Sequence, residues 1–180
     1  MAFMGVGAPV AGPCSQIATM VDDAEIVGIC DLYEDWANKS AENVEKKTGK
    51  RPAVFTKGEK DYLRMLDEVK PDAVIISTDW GTHAPMAIDC MNKGAHAFVE
   101  VPLATTLEDL WKIIDTSEKT RKHCMMMENC NYGREELCWL NMVNQGVIGE
   151  LLHGEAAYIH ELRGQMKEVE RGTGSWRTYQ

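Results

Sequence analysis

The sequence predicts an α/β fold in which a doubly wound parallel sheet occupies residues 1–130. Short apolar runs alternate with amphipathic stretches along this part of the chain, which is typical of repeated β-α units. The apolar runs are continuous and do not alternate with polar residues, as expected for parallel strands that helices cover on both faces. Repetition of this kind implies right-handed crossover connections between the strands.

Six apolar runs predict the strands of this sheet, which are residues 2–4, 24–30, 52–56, 72–78, 96–99 and 123–127. The fourth run is the clearest, because it holds Ala73-Val74-Ile75-Ile76. The last run includes Met125-Met126-Met127, which we interpret as a buried strand and not as a metal site.

The amphipathic stretches between these runs predict the helices, which are residues 32–47, 60–69, 85–92 and a segment that follows Thr106. The first and third of them stop at Gly49 and Gly94, as helices commonly do. Thr106 is a good N-cap for the fourth helix, and Asp109 three residues later completes an imperfect capping box.

The character of the sequence changes after Asn129. Residues 132–144 predict a helix, which two glycines then break. Residues 151–162 show mixed alternation that predicts a longer, half-buried antiparallel strand. One such strand and a loop cannot form a stable sheet alone. We therefore expect residues 131–180 to begin a second, α+β substrate domain with an antiparallel sheet, which is incomplete in this chain.

Charge and composition exclude several classes of function. The 28 acidic and 19 basic residues give a formal net charge of −9. Binding to nucleic acid requires a basic surface, so we expect no nucleic-acid partner. The cysteines form no C-x-x-C pair and no Cys/His cluster has zinc-ligand spacing, so we predict no metal site. No apolar stretch approaches the roughly 20 residues that span a bilayer, and the N-terminus does not resemble a signal peptide. The chain as written is therefore expected to be cytoplasmic, without a membrane partner.

The loop after the first apolar run carries the motif Gly5-Val6-Gly7. Between a strand and a helix, a first glycine makes a tight turn and a second lets a pyrophosphate approach the backbone. Asp31 ends the second run, 26 residues after Gly5, where a carboxylate accepts hydrogen bonds from a ribose diol and repels a 2′-phosphate. The third glycine of the motif is replaced by Val10, and an alternative interpretation makes Asp31 a simple helix cap. The combined pattern favours a Rossmann-type domain that binds NAD through Gly5, Gly7 and Asp31.

Two further groups of residues follow later strands at the same carboxyl edge, where open α/β sheets bind ligands. Trp80 and His83 come after the fourth run, and Glu100-Val101-Pro102 closes the fifth. A Trp–His pair in a loop is more often packing than chemistry. Its place after this strand nevertheless favours contact with the cofactor.

This combination resembles the Gfo/Idh/MocA oxidoreductase family. Its members usually carry Glu-Lys-Pro where this sequence has Glu100-Val101-Pro102, and valine cannot take part in the proton transfer that the lysine serves. The sequence looks closest to one branch, the NAD-dependent α-N-acetylgalactosaminidases of glycoside hydrolase family 109. The segments that carry this resemblance include Cys30-Asp31-Leu32-Tyr33, Trp80 with His83, Val99-Glu100-Val101-Pro102-Leu103-Ala104, Met127-Glu128-Asn129-Cys130, Gly149-Glu150-Leu151-Leu152-His153-Gly154, Tyr158-Ile159-His160-Glu161-Leu162-Arg163 and Gly174-Ser175-Trp176-Arg177-Thr178.

The resemblance implies a role for several residues by their position. Cofactor contacts are implied for Asp31, Trp80, His83, Glu100, Val101 and Asn129. Sugar contacts are implied for Tyr158 and Arg177, and Tyr132 is implied as the catalytic acid/base near the reacting carbons. Taken from the sequence alone, Tyr158 is equally consistent with an ordinary strand aromatic, Arg177 with a solvated cation, and His160 with packing.

The resemblance also implies hydrolysis through transient oxidation of the sugar at C3, elimination, addition of water and re-reduction, by a route that does not use paired carboxylates. Two alternatives stay open: an NAD-dependent sugar oxidoreductase of the Gfo/Idh/MocA type, and a non-catalytic nucleotide-binding fragment. The family has a later Tyr-Pro-Thr-His segment with a catalytic histidine, so we expect weak or no turnover from these 180 residues. The expected partner is an N-acetylgalactosaminide-like sugar, and an unfinished sheet favours a homo-oligomer.

Overall fold

The computed structural model describes residues 1–7, 23–128, 130–157, 159–161 and 163–166. The chain divides into two compact units, the first ending at Met127 and the second beginning at Glu128. Three of the predicted site residues, Asn129, Tyr158 and Arg177, lie outside the described residues.

The first unit is built on a parallel sheet, whose strands are β1 (Ala2–Met4), β2 (Gly28–Cys30), β3 (Ala53–Phe55), β4 (Ala73–Ile76), β5 (His96–Val99) and β6 (Cys124–Met126). Their order across the sheet is β3-β2-β1-β4-β5-β6, and every neighbouring pair is parallel. This is the strand order of a doubly wound dinucleotide-binding sheet, in which the winding reverses between β1 and β4. The predicted fold class is confirmed.

The helices of the described residues are α1 (Glu34–Thr48), α2 (Asp61–Val69), α3 (Trp80–Asn92), α4 (Leu107–Thr120), α5 (Arg134–Asn144) and α6 (Arg163–Met166). The predicted caps form: Gly49 ends α1 with a φ of 74°, and Thr106 Oγ1 accepts the Asp109 amide at 3.1 Å. The predicted start of α3 at residue 85 is wrong. Extended backbone at Asp79 starts the helix at Trp80, and Pro85 lies inside it, where the helix lacks the one hydrogen bond that proline cannot donate.

Both faces of the sheet are buried, because each strand directs alternate side chains to opposite faces. On one face Met4 and Ile76 belong to a cluster that includes residues of α2, α3 and α4. On the other face Phe3, Ile29 and Ile75 pack with residues of α1. Burial on both faces explains why the apolar runs of the sequence are continuous.

Two side chains of α2 make hydrogen bonds outside the helix, Tyr62 to α3 and Asp61 to the Lys57 amide. Tyr62 is 2% exposed, and its hydroxyl donates a 2.6 Å hydrogen bond to Asp89 Oδ2 on α3. The buried Asp61 carboxylate accepts from Arg64 Nε at 2.7 Å, from Arg64 Nη2 at 3.0 Å and from the Lys57 amide at 2.9 Å. The hydrogen bonds from Arg64 lower the pKa of the Asp61 carboxyl below its ordinary value of 3.8.

Two sequence expectations are wrong at the edge of the sheet and in the second unit. β6 forms as predicted, but Met125 and Met126 are 44% and 40% exposed, because among the described residues β6 pairs with β5 alone and forms the edge of the sheet. The strand predicted over 151–162 is not formed in the described parts, 151–157 and 159–161, which are exposed. No described strand pairs with them, and an unpaired strand lacks the hydrogen bonds that stabilise it.

None of the helices in the described ranges has the length and apolar character needed to cross a membrane.

Candidate cofactor site

The carboxyl ends of β1 and β4 meet where the winding of the sheet reverses, which is where open α/β sheets bind ligands. The chain continues there into Gly5-Val6-Gly7 after β1, and into Ser77 and Thr78 after β4. Asp31 follows β2 beside them. The sequence therefore brings its motif and its acidic residue to one edge of the sheet.

Gly5 occupies a position that only glycine fits. Its φ is +78°, and a Cβ on Gly5 would lie 2.6 Å from the Ser77 carbonyl oxygen. The Gly5 amide donates to the Cys30 carbonyl at 2.9 Å, and the Ser77 amide donates to the Met4 carbonyl at 2.9 Å. The ends of β1, β2 and β4 thus come together at this residue without room for a side chain.

Gly7 lies close to a tryptophan ring on α1. A Cβ on Gly7 would lie 3.0 Å from Cζ3 of Trp36, so the ring of this α1 residue occupies the space beside it. Trp36 in turn makes an edge contact with Tyr33, with ring centroids 4.8 Å apart. The absent side chain lets the loop pack closely on α1, and approach of a pyrophosphate to Gly7 stays a prediction.

Asp31 links the loop after β1 to the start of α1. Its Oδ2 accepts the Val6 amide at 2.7 Å, and its Oδ1 accepts the Tyr33 amide at 2.8 Å. The helix-cap alternative is not formed, because the N-cap of α1 is Tyr33 and no side chain caps the helix. Each carboxylate oxygen can accept a further hydrogen bond, so the partly buried Asp31 retains acceptor capacity for the two hydroxyls of a ribose.

His83 lies inside the fold and not on the surface of the cleft. Its ring is 1% exposed, with Nδ1 2.7 Å from the Pro102 carbonyl oxygen and Nε2 3.1 Å from the Thr78 carbonyl oxygen. Trp80, the first residue of α3, is half-buried. The pair expected to act together is therefore divided between the interior and the helix N-terminus.

Glu100 and Val101 follow β5 at the same edge. The Glu100 amide continues the ladder by donating to the Ile76 carbonyl at 2.9 Å, and the Val101–Pro102 peptide is cis. The Val101 side chain is 40% exposed. An apolar side chain thus stands where the resemblance leads one to expect the lysine of the sugar dehydrogenases.

Sequence reasoning missed Ser77, which carries a polar atom without a partner. Its Oγ is buried and makes no hydrogen bond among the described residues. Leaving a buried hydroxyl unpaired costs about 1–3 kcal/mol, so such groups are usually explained by a ligand, a water or a function. The Gly5 turn and the acceptor at Asp31 fit a dinucleotide at the switch point, and the buried Ser77 hydroxyl lies beneath this turn. A serine directly after the clearest strand was the available signal.

The described thiols of this unit are those of the buried Cys30 and Cys90 and the half-buried Cys124, and their raised pKa values argue against a nucleophilic role. Burial raises the pKa of Cys30 to about 12 and that of Cys124 to about 11. It also raises the pKa of Cys90. A nucleophilic cysteine requires the opposite shift.

The second unit contains the predicted acid/base. Tyr132 lies in the turn before α5 and is 72% exposed. Its partners in the sequence prediction, Tyr158 and Arg177, are outside the described residues. The arrangement of the sugar-binding residues therefore stays a prediction.

Comparison with known proteins identifies the first unit. The family model described as "Oxidoreductase family, NAD-binding Rossmann fold" matches residues 1–128. The chain belongs to the Gfo/Idh/MocA oxidoreductase family. Its cofactor is NAD, as the motif and Asp31 predict. The model of the glycosyl hydrolase 109 C-terminal domain matches residues 132–179, which bears out the resemblance to that branch.

Curated relatives extend this result. "Glycosyl hydrolase family 109 protein 1" of Akkermansia muciniphila is 68% identical over 179 residues, which are 99% of this chain and 37% of the relative. The α-N-acetylgalactosaminidase of Shewanella oneidensis is 55% identical over 177 residues, which are 98% of this chain and 38% of the relative. This Gfo/Idh/MocA chain thus spans less than two fifths of the curated relatives it matches.

Two solved structures that share this fold are dehydrogenases. WlbA dehydrogenase from Bordetella pertussis, in complex with NADH and UDP-GlcNAcA, superposes with a TM-score of 0.68 at 24% identity, over 82% of this chain and 41% of that one. Scyllo-inositol dehydrogenase from Lactobacillus casei, with NAD(H) and scyllo-inositol, gives 0.69 at 18% identity, over 83% and 42%. At these identities the likeness establishes the fold of the chain.

Proposed function

We propose that this chain is the NAD-binding part of a glycosidase of the α-N-acetylgalactosaminidase type, which hydrolyses its substrate by transient oxidation and re-reduction of the sugar. The observation that carries the proposal is the order of the two matches: a domain of glycosyl hydrolase 109 follows directly on the NAD-binding domain. The 55% identity to a curated α-N-acetylgalactosaminidase supports the substrate class.

Bound NAD supplies a reversible hydride acceptor, and a ketone formed on the sugar acidifies the neighbouring C–H so that the glycosidic oxygen can leave by elimination. The residues of this chain bind and orient the reactants. Asp31 accepts the ribose hydroxyls and repels a 2′-phosphate, while Gly5 leaves the backbone open at the turn.

Val101 cannot accept a proton in either reaction, because transient oxidation at C3 and net sugar oxidation both remove the hydroxyl proton together with the hydride. Tyr132, in the second unit, is the group in this chain that we propose for proton transfer at the sugar. We propose an N-acetylgalactosaminide as the substrate.

The proposal is tested by following two signals at once. The purified chain, at high concentration and with NAD⁺, is incubated with a chromogenic α-N-acetylgalactosaminide while aglycone and NADH are measured. We expect slow, NAD⁺-dependent release of aglycone in excess of any NADH. NADH growth in step with oxidised sugar would instead indicate a sugar oxidoreductase. Absence of both signals would refute turnover by this chain and leave it with nucleotide binding alone.

A matched variant assigns the acid/base. Tyr132→Phe removes the phenol hydroxyl and keeps the ring, which is exposed, so the fold is expected to be unaffected. We expect loss of about 100-fold in aglycone release, as for removal of a general acid/base, with unchanged affinity for NAD⁺. Unchanged release would exclude Tyr132 from the proton transfer.

A further inference from the structure

The contacts of His83 suggest a function other than touching the cofactor. The imidazole lies between the ends of two neighbouring strands, with one ring nitrogen at the Thr78 carbonyl after β4 and the other at the Pro102 carbonyl after β5. Carbonyl oxygens only accept hydrogen bonds, so a ring N–H must donate to each carbonyl that is satisfied. At 1% exposure the ring has no surface free for a ligand.

The segment after Glu100 has few other polar contacts. The Glu100 amide donates to Ile76, and the next backbone hydrogen bonds belong to the start of α4 at Thr106. Among the described residues, the contact of Pro102 with His83 is the one hydrogen bond made by residues 101–105. Apolar packing of Leu103 and Ala104 on the core supplements it. His83 is therefore the polar connection that sets where this segment lies.

Several hydrogen bonds hold the turn after β4, at the Thr78 end of this contact. Thr82 Oγ1 donates to Thr78 Oγ1 at 2.7 Å and lies 2.9 Å from the Asp79 carbonyl oxygen, so several contacts hold the turn before α3. Thr78 also lies against Gly5, whose missing Cβ would come within 3.1 Å of Thr78 Cγ2. His83 thus ties residues 101–105 to a turn that itself adjoins the glycine motif.

We propose that His83 is a positioning residue: it holds the Pro102 carbonyl to the turn after β4, and thereby places Glu100 and Val101 at the NAD site. This inference rests on NAD binding at that site. It differs from direct recognition, because His83 acts on the protein segment whether or not the cofactor is bound.

The experiment compares the chain with its His83→Ala variant by hydrogen exchange and by calorimetry with NAD⁺. Without cofactor, we expect exchange of the Glu100 amide, which adjoins the segment and donates to the Ile76 carbonyl, to accelerate by about tenfold, since losing one hydrogen bond of ordinary strength has this effect. The amides inside the strands are expected to keep their protection. NAD⁺ affinity is expected to fall by about tenfold. Free imidazole, which fits the space left by the ring, is expected to restore both. Unchanged exchange in the cofactor-free variant would overturn the proposal, even if NAD⁺ affinity falls, because that pattern indicates direct contact.

Two further variants keep the test decisive. If His83→Ala does not fold, His83→Gln replaces it, and its single amide group is expected to satisfy one carbonyl and to give smaller changes in the same direction; wild-type exchange and affinity would overturn the proposal. Tyr62→Phe is the matched control, because it removes another buried hydrogen bond away from the cleft. It is expected to leave exchange of the Glu100 amide and NAD⁺ affinity unchanged. Failure of the wild-type chain to bind NAD⁺ would count against the cofactor site, and the exchange result would still decide the position of the segment.

Discussion

Substitution of Gly5 by alanine tests the geometry of the cofactor loop most sharply. Two separate costs follow from the structure. The φ of +78° lies in the left-handed region, which costs a residue with a Cβ about 1–2 kcal/mol. The new Cβ would also lie 2.6 Å from the Ser77 carbonyl oxygen and 2.8 Å from its carbon, so backbone must move. Forced displacement of this kind costs about 1–3 kcal/mol.

Gly49→Ala separates these two costs. Gly49 has nearly the same φ, +74°, but nothing lies within 4 Å of the place where its Cβ would be. It therefore carries the conformational cost alone, and both variants share the same effect of alanine on the unfolded chain. We expect a loss in the free energy of unfolding of about 1–2 kcal/mol for Gly49→Ala and about 2–5 kcal/mol for Gly5→Ala.

Urea denaturation followed by circular dichroism measures the free energy of unfolding of both variants. The dependence of this free energy on urea concentration must have the same slope in each, so that the midpoints can be compared. NAD⁺ titration is expected to show weaker binding for Gly5→Ala and unchanged binding for Gly49→Ala. Equal losses of stability in the two variants would refute the close approach of Gly5 to the end of β4.

Three further predictions concern the rest of the first unit. Tyr62→Phe should lower the free energy of unfolding by about 1.5–3 kcal/mol, as measured in urea, because the phenol donates to a carboxylate on α3; a loss below about 0.5 kcal/mol would contradict the hydrogen bond. The pKa of Asp61 is lower in the folded chain, so its contribution to stability is present above its unfolded pKa of 3.8 and is lost as the pH falls through the folded value. Acid titration of Asp61→Asn should therefore show a smaller loss of stability below that pH, and an unchanged acid limb would be inconsistent with the ion pair. Iodoacetamide at neutral pH should alkylate the exposed Cys138 well before the buried Cys90, whose pKa is raised by burial. Mass spectrometry of early time points measures this order, and alkylation of Cys90 first would contradict the prediction.

Local features of this fold could be predicted because their causes are local in sequence. Thr106 caps α4 through an amide three residues later, and Gly49 ends α1 through its own backbone conformation. The strands of the central sheet could be predicted equally well, since burial on both faces produces continuous apolar runs. Asp31 could be found because its spacing from the glycine motif is fixed by the β-α-β unit.

Other features depend on partners that are distant in sequence. The second acceptor of His83 is 19 residues away on another loop, so nothing in the sequence near the histidine distinguishes a ligand contact from a buried bridge. The exposure of Met125 depends on β6 lying at the edge of the sheet, which strand composition does not encode. The close approach of Gly7 to the ring of Trp36 depends on how α1 packs on the sheet.

The central claim is that the switch point between β1 and β4 binds NAD, with Asp31 selecting against a 2′-phosphate. Calorimetric titration of the chain with NAD⁺ and with NADP⁺ tests it most directly. We predict saturable heat with NAD⁺ and at least about tenfold weaker binding of NADP⁺. Asp31→Asn removes the repulsive charge and should narrow this difference in affinity between the two coenzymes. Equal affinity for the two coenzymes, or no heat with NAD⁺ from folded protein, would contradict it.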